Sequence, residues 1–201
     1  KLVLAFACLL MLSASSHTPT AAFRPPPPLG NGYPERIAVQ PPGAQEVVVV
    51  INDNVKMLHA GMFAAETLLD PAGSYEGVRS VEPGWPGPSL QDYVRFQLED
   101  GPDVKLYRFV LSAEEFAQVK ARVDDAGITV PLFCAAKVQN IISGIGPFVS
   151  VPDAWLVSPG DLARHLDLIL DQRALAGVCE WPNGASCNPS FMDKGTATAR
   201  R

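Results

Sequence analysis

The chain has 201 residues and a formal charge of -5, with 47% apolar and 18% charged residues. This length supports one globular domain with a sizeable core and is short for two domains. The acidic balance, without any run of Lys and Arg, argues against a nucleic-acid-binding protein, which needs a basic surface for the phosphates. We therefore expect no nucleic-acid partner. The sequence also has no phosphate-binding loop that would indicate a nucleotide cofactor.

The N-terminal residues KLVLAFACLLMLSASS resemble a secretory signal. Lys1 precedes an apolar run of about a dozen residues, which is too short to span a bilayer. Small residues follow and end at Ala22, so residues 1–22 are predicted to be a signal peptide that is removed. A lipoprotein signal at Cys8 is the alternative. We expect an exported protein, periplasmic or secreted from a bacterium, without a stable membrane span.

The remaining chain divides into three predicted regions. Residues 23–44 are rich in proline, which favours an extended, semi-rigid linker without a core. Residues 45–176 hold the periodic apolar patterns and are predicted to form the folded domain. Residues 177–201 are predicted to be a C-terminal extension. Cys179 and Cys187 flank a turn-rich loop there, and export makes a disulfide between them plausible.

Within the folded domain, the pattern predicts strands first and helices later, which is typical of an α+β fold with an antiparallel sheet. Ser112 and Glu115 form a capping-box pattern before a helix that is expected to end near Gly127. Another helix is expected to begin at Cys134. The predicted strands cover 45–52, 56–65 and 67–70, and two more flank a turn at 100–103. A last helix is expected after Ser158, with Pro159 in its first turn.

Cys134 is the cysteine left over once Cys8 is removed and Cys179 pairs with Cys187. Such a thiol is either buried and inert or kept for chemistry. Its predicted position at a helix N-terminus favours chemistry, because the helix dipole lowers the pKa of a thiol there.

The imidazole that could activate this thiol is predicted to be His59. His17 leaves with the signal peptide, and His165 borders the apolar stripe of its helix, which favours a partly buried structural role. In the second strand, His59, Gly61 and Phe63 share one face. Gly61 is expected to leave open space beside the imidazole, as a substrate site requires. Taken alone, however, His59 fits a structural histidine equally well.

These residues resemble the circularly permuted NlpC-type cysteine peptidases. The resemblance lies in a strand histidine in HAGMF, a polar residue about a dozen positions later, and a cysteine that begins the helix in FCAAKVQNII. It spans about Val47 to Leu170. These relatives have papain-like folds in which the histidine strand precedes the cysteine helix, an order shared by the lecithin retinol acyltransferase group.

The resemblance implies a catalytic role for each of three residues. Cys134 would be the nucleophile, and His59 would take its proton. Asp70 would orient the imidazole, although it could equally serve only to cap the turn at Pro71, and Glu66 is the second candidate for an orienting residue. The backbone N–H of Cys134 would contribute to the oxyanion hole. The chain departs from the family in having Phe133 where many relatives carry Asn.

Several functions are compatible with this pattern. The resemblance implies hydrolysis of an amide in peptidoglycan stem peptides through a thioester, without a cofactor. Lipid acyl transfer or thioester hydrolysis is the alternative, and Trp85, Phe148 and Trp155 are the candidates for an apolar surface near such a site. A third hypothesis is an inactive binding protein in which Cys134 and His59 are structural. A zinc site that uses Cys134, His59 and a carboxylate is a fourth, although no Cys/His pair has close ligand spacing.

Overall fold

A five-stranded antiparallel sheet forms the centre of the computed structural model, which describes residues 39–55, 57–175 and 190–191. The predicted signal peptide, most of the predicted linker and the possible Cys179–Cys187 disulfide lie outside these residues. The sheet order is β3-β2-β1-β4-β5. The strands are β1 (Glu46–Asn54), β2 (Met57–Ala64), β3 (Thr67–Leu69), β4 (Val104–Val110) and β5 (Ser190–Phe191). The helices are α1 (Ser74–Arg79), α2 (Leu90–Leu98), α3 (Ala113–Asp124), α4 (Cys134–Ile142) and α5 (Pro159–Leu175).

Helices cover both faces of the sheet. Alternate residues of a strand point to opposite faces. Thus Val47, Val49 and Ile51 of β1 pack in the cluster that contains α3, α4 and α5. Val48 and Val50 pack in the second cluster, with α1 and α2. The valine run of β1 is therefore continuous because β1 is a central strand that is buried on both faces.

The predicted α+β class with an antiparallel sheet is confirmed, but the predicted order of elements is wrong in one place. The stretch before the turn at 100–103 was expected to be a strand and is helix α2. The Ser89 side chain accepts a hydrogen bond from the backbone N–H of Asp92, as a helix N-cap does. The buried residues of α2 also follow a helical period rather than an alternating one; they are Leu90, Tyr93, Val94, Gln97 and Leu98. In addition, α1 was not predicted.

The three helices predicted in the second half of the domain are present. Ser112 and Glu115 form the expected reciprocal capping box at the start of α3, although this helix ends at Asp124 rather than near Gly127. α4 begins at Cys134, directly after a short 3₁₀ helix, Pro131–Phe133. The hydroxyl of Ser158 accepts the backbone N–H of Asp161 at 3.0 Å, as expected for the start of α5.

The contact between α4 and β2 positions the candidate site. α4 packs against β2, and its residues Val138 and Ile142 are buried in the same cluster as Ala60 and Met62. β3 pairs with β2 only from Met62 to Ala64. Among the described residues, no strand pairs with the His59 end of β2 on that side. The N-terminus of α4 therefore meets β2 where the sheet has a free edge.

Candidate functional site

His59 lies near the beginning of β2, opposite Asn52 of β1, and is only 5% exposed. Its Nε2 atom is 2.7 Å from Oδ1 of Asp70. A buried imidazole with a carboxylate on one nitrogen has a defined ring orientation. Asp70 therefore contacts Nε2 and not the other ring nitrogen, Nδ1.

Asp70 directly follows β3 and has two functions in the structure. One carboxylate oxygen contacts His59, and the other, Oδ2, accepts the backbone N–H of Tyr75 at 2.8 Å. The carboxylate thus makes the contact that an orienting residue requires and also caps the start of α1; its role in catalysis stays a prediction. Glu66 lies exposed in the turn between β2 and β3. The structure thus brings Asp70, and not Glu66, to the imidazole.

Cys134 is the first residue of α4 and is 2% exposed. The imidazole of His59 lies close enough to influence the charge of this thiol. The backbone N–H groups of Ala60, at the free edge of β2, and of Ala135, in the first turn of α4, also favour the thiolate. The side chain of Phe133 at the N-cap position makes no capping hydrogen bond. The sulfur therefore lies where the helix start and the sheet edge both present backbone donors.

The surroundings of the two groups favour a thiolate–imidazolium pair. Burial raises the pKa of Cys134, but the hydrogen bond and charge of His59, with the two backbone N–H groups, outweigh it and lower the pKa below its ordinary value. Burial likewise lowers the pKa of His59. Hydrogen bonds to Asp70 and Cys134 and their negative charges outweigh that effect and raise the pKa to about 9. Each group thus stabilises the charged form of the other.

The expected oxyanion donor is already engaged in the structure. The backbone N–H of Cys134 donates to the carbonyl oxygen of Pro131, within the 3₁₀ helix that precedes α4. This bond arises because the chain approaches α4 through a tight turn rather than an extended N-cap.

Tyr93 is a residue of the site that the sequence analysis missed. Its hydroxyl lies 3.1 Å from Nε2 of His59. The hydroxyl occupies the space beside Gly61, where a Cβ atom would overlap it. The prediction that Gly61 leaves this space open is therefore wrong, because the space is filled from α2. Correct prediction of α2 as a helix would have placed Tyr93 on its buried face.

Three exposed apolar side chains lie near this pair in the chain or in the fold. Leu58, next to His59, is 52% exposed, and Leu132, two residues before Cys134, is 77% exposed. Trp155 is also 77% exposed, and its ring lies 6.3 Å from that of Phe133 between centroids.

The other two candidates for an apolar surface are packing residues. Phe148 is fully buried against Phe109, and Trp85 packs edge-on against Tyr75 on the other face of the sheet. His165 is half-buried on α5, as predicted.

Two negative findings apply to residues 39–55, 57–175 and 190–191. No group of three or more His, Cys, Asp or Glu side chains there could hold a metal ion, so the zinc hypothesis gains no support. None of the helices within these ranges has the length and apolar character needed to cross a bilayer.

Comparison with known proteins does not assign the chain to a family. No protein-family model, curated protein or solved structure matches it. The geometry of Cys134, His59 and Asp70 is therefore the basis for a functional proposal.

Replacing Asp70 with asparagine is expected to slow alkylation of Cys134 at pH 6 by roughly tenfold. A rise of about one unit in the pKa of the thiol would lower its thiolate fraction by that factor. Burial lowers the pKa of His59, and Asp70 opposes this effect first through its hydrogen bond and then through its negative charge. Asparagine retains an oxygen that can accept the Tyr75 N–H, so α1 should keep its cap. The measurement is the iodoacetamide rate against pH, with Glu66→Gln as the control. An unchanged rate in Asp70→Asn would reduce Asp70 to a turn cap.

Proposed function

We propose that this chain is an exported thiol hydrolase that cleaves an amide bond, with peptidoglycan stem peptides as the substrate class. The observation that carries the proposal is the buried group of Asp70, His59 and Cys134, in which Asp70 bonds the imidazole and the imidazole favours the thiolate. A cysteine at a helix start, an imidazole on a strand and an orienting carboxylate are the parts that nucleophilic catalysis requires. The order of these residues resembles that of the permuted NlpC-type peptidases, and the N-terminal pattern favours export to where the cell wall lies.

The chemistry follows from the charge state of the pair. The Cys134 thiolate attacks the carbonyl carbon, and the His59 imidazolium gives its Nδ1 proton to the leaving nitrogen as the C–N bond breaks. The product is a thioester on Cys134 and a free amine. The neutral imidazole then removes a proton from water, which attacks the thioester. The C–S bond breaks, the carboxylic acid leaves, and the thiolate–imidazolium pair is restored.

Acyl transfer from or to a lipid is a second candidate function, which exposed apolar side chains near the pair favour. Leu58 and Leu132, which are close to His59 and Cys134 in the chain, and Trp155, which is close to the Phe133 ring, expose apolar surface that a hydrocarbon chain could contact. The thioester would be the same, but an ester would replace the amide and a second acceptor could replace water.

Burial of the thiol is the observation that favours a non-catalytic scaffold. Cys134 is almost fully covered, as an inert cysteine is. The lowered pKa argues in the other direction, because a thiol in purely apolar surroundings has a raised pKa. Reactivity toward substrates therefore decides between the two.

The proposal is tested by incubating the protein, without residues 1–22, with purified peptidoglycan and with a water-soluble long-chain acyl ester. Cys134→Ala is the matched inactive control. We expect new amino groups and shortened stem peptides, identified by mass spectrometry, only with the unsubstituted thiol. Release of fatty acid without peptide cleavage would select acyl chemistry. No Cys134-dependent product from either substrate would favour the scaffold.

A further inference from the structure

We propose that the Tyr93 hydroxyl is a positioning group that holds the Nε2 side of the His59 ring together with Asp70. This inference rests on the proposed function, because its effect is exerted through the His59–Cys134 pair. Tyr93 itself lies behind the imidazole, away from the thiol side, so we assign it no contact with a substrate.

The first argument is the geometry at Nε2. Asp70 Oδ1 lies 2.7 Å from this atom and the Tyr93 hydroxyl oxygen lies 3.1 Å from it. The imidazolium carries one proton on Nε2, and it can donate to the carboxylate while the phenol oxygen shares it as a second acceptor. Two oxygens on one nitrogen restrict the ring more than one, because the ring cannot swing toward either side without losing a contact.

The second argument is that the surrounding residues are suited to this contact. Glycine at position 61 admits the hydroxyl, since any Cβ atom there would overlap it. The Tyr93 ring is fully buried and held edge-on by Phe63 and Tyr75, at centroid distances of 5.7 Å and 5.2 Å. The backbone N–H of Tyr75 also binds Asp70. Both oxygens at Nε2 are therefore anchored by α1 and its neighbours.

The third argument is the chemical state of the phenol. Burial raises the pKa of Tyr93 well above 10, and the negative charges of Asp70 and Cys134 raise it further, against a small opposing effect of Gln97. The phenol therefore stays neutral throughout the pH range in which the pair works. A neutral hydroxyl can support the imidazolium without adding a charge that would compete with Cys134.

The groups that face His59 are few, which makes the effect measurable. Asp70 after β3 and Cys134 on α4 carry charge, and Tyr93 on α2 is neutral. Tyr75 on α1 influences the phenol rather than the imidazole. Removing the Tyr93 hydroxyl should thus alter a single contact of the imidazolium.

The test is the pH dependence of Cys134 alkylation by iodoacetamide in the protein and in Tyr93→Phe. We expect the variant to react about threefold to tenfold more slowly at pH 6, as loss of one hydrogen bond predicts. The profile should also move toward that of an ordinary thiol. Tyr107→Phe is the control, because it removes a buried tyrosine hydroxyl that bonds Asp167 at 3.0 Å on the other face of the sheet. Its profile should not change.

The outcomes separate this inference from the proposed function. If the unsubstituted protein lacks reactivity below the ordinary cysteine pKa, the thiolate–imidazolium pair fails and the inference fails with it. If that reactivity is present and Tyr93→Phe folds with the same profile, the inference alone is overturned. If Tyr93→Phe does not fold, the Nε2 proton of His59 in the unsubstituted protein decides by NMR. A through-space signal between this proton and the Tyr93 ring or hydroxyl protons supports the contact, and an Nε2 proton that is visible without such a signal contradicts it.

Discussion

Replacing His59 with alanine is expected to remove the reactivity of Cys134 at low pH. Burial raises the pKa of this thiol, and the hydrogen bond and charge of His59 are the main influences that lower it. Without the imidazole, the pKa should return to about 8.5 or higher. The alkylation rate at pH 6 should then fall by roughly tenfold to a hundredfold. The fall is smaller than the loss of thiolate alone would give, because the more acidic thiol of the unsubstituted protein is also a weaker nucleophile.

The measurement is the iodoacetamide rate between pH 5 and pH 10, with the product assigned to Cys134 by mass spectrometry. His165→Ala is the matched control, because His165 is a half-buried histidine on α5 outside the site. Circular dichroism checks that both variants fold. A thiol that reacts only after unfolding, or that ignores the loss of His59, would contradict the activated pair and leave His59 as a core histidine.

Turnover of the amide substrate is expected to have a bell-shaped pH dependence. On the acid side, activity should appear as Cys134 loses its proton, below the ordinary thiol pKa. On the alkaline side, the His59 imidazolium is lost as the pH rises through about 9, so no proton is available for the leaving amine. Activity should then fall by about tenfold for each further pH unit, as the loss of one essential proton predicts.

The measurement is kcat/KM at each pH, with a substrate that the peptidoglycan assay has identified. Cys134→Ala provides the zero level at every point. Alkylation of Cys134 provides the second control, because a thiolate should still react above pH 9 while turnover falls. Turnover that instead keeps rising with pH would mean that His59 does not act as the proton donor.

Local patterns were sufficient to predict much of the scaffold. β1, β2 and the starts of α3 and α4 lie within two residues of their predicted positions, because each has a strong local signal. β1 has its valine run and α3 has a capping box, and both signals act over neighbouring residues.

The stretch that became α2 shows where local patterns fail. DYVRFQL alternates polar and apolar residues well enough to suggest a strand, and aromatic and β-branched residues strengthen that impression. The helical outcome depends on which side chains become buried. Tyr93, Val94 and Gln97 reach one face, and the sheet covers that face. The apolar period of the segment is clear only once the packing partner is known.

The sequence by itself determined the components of the candidate site. It predicted a thiol at a helix start, a histidine on an apolar strand and a carboxylate eleven residues later, at Cys134, His59 and Asp70. These follow from residue type and short-range pattern, which local backbone preferences enforce.

Only the tertiary structure decided how these components meet. The antiparallel pairing of β2 with the short β3 brings Asp70 to Nε2, and the packing of α4 on β2 brings the thiol to the free edge of the sheet. The contact of Tyr93 with His59 spans 34 residues of chain and depends on α2 docking over Gly61. Such contacts form between distant segments whose relative placement is set by burial of the whole core, which no local pattern encodes.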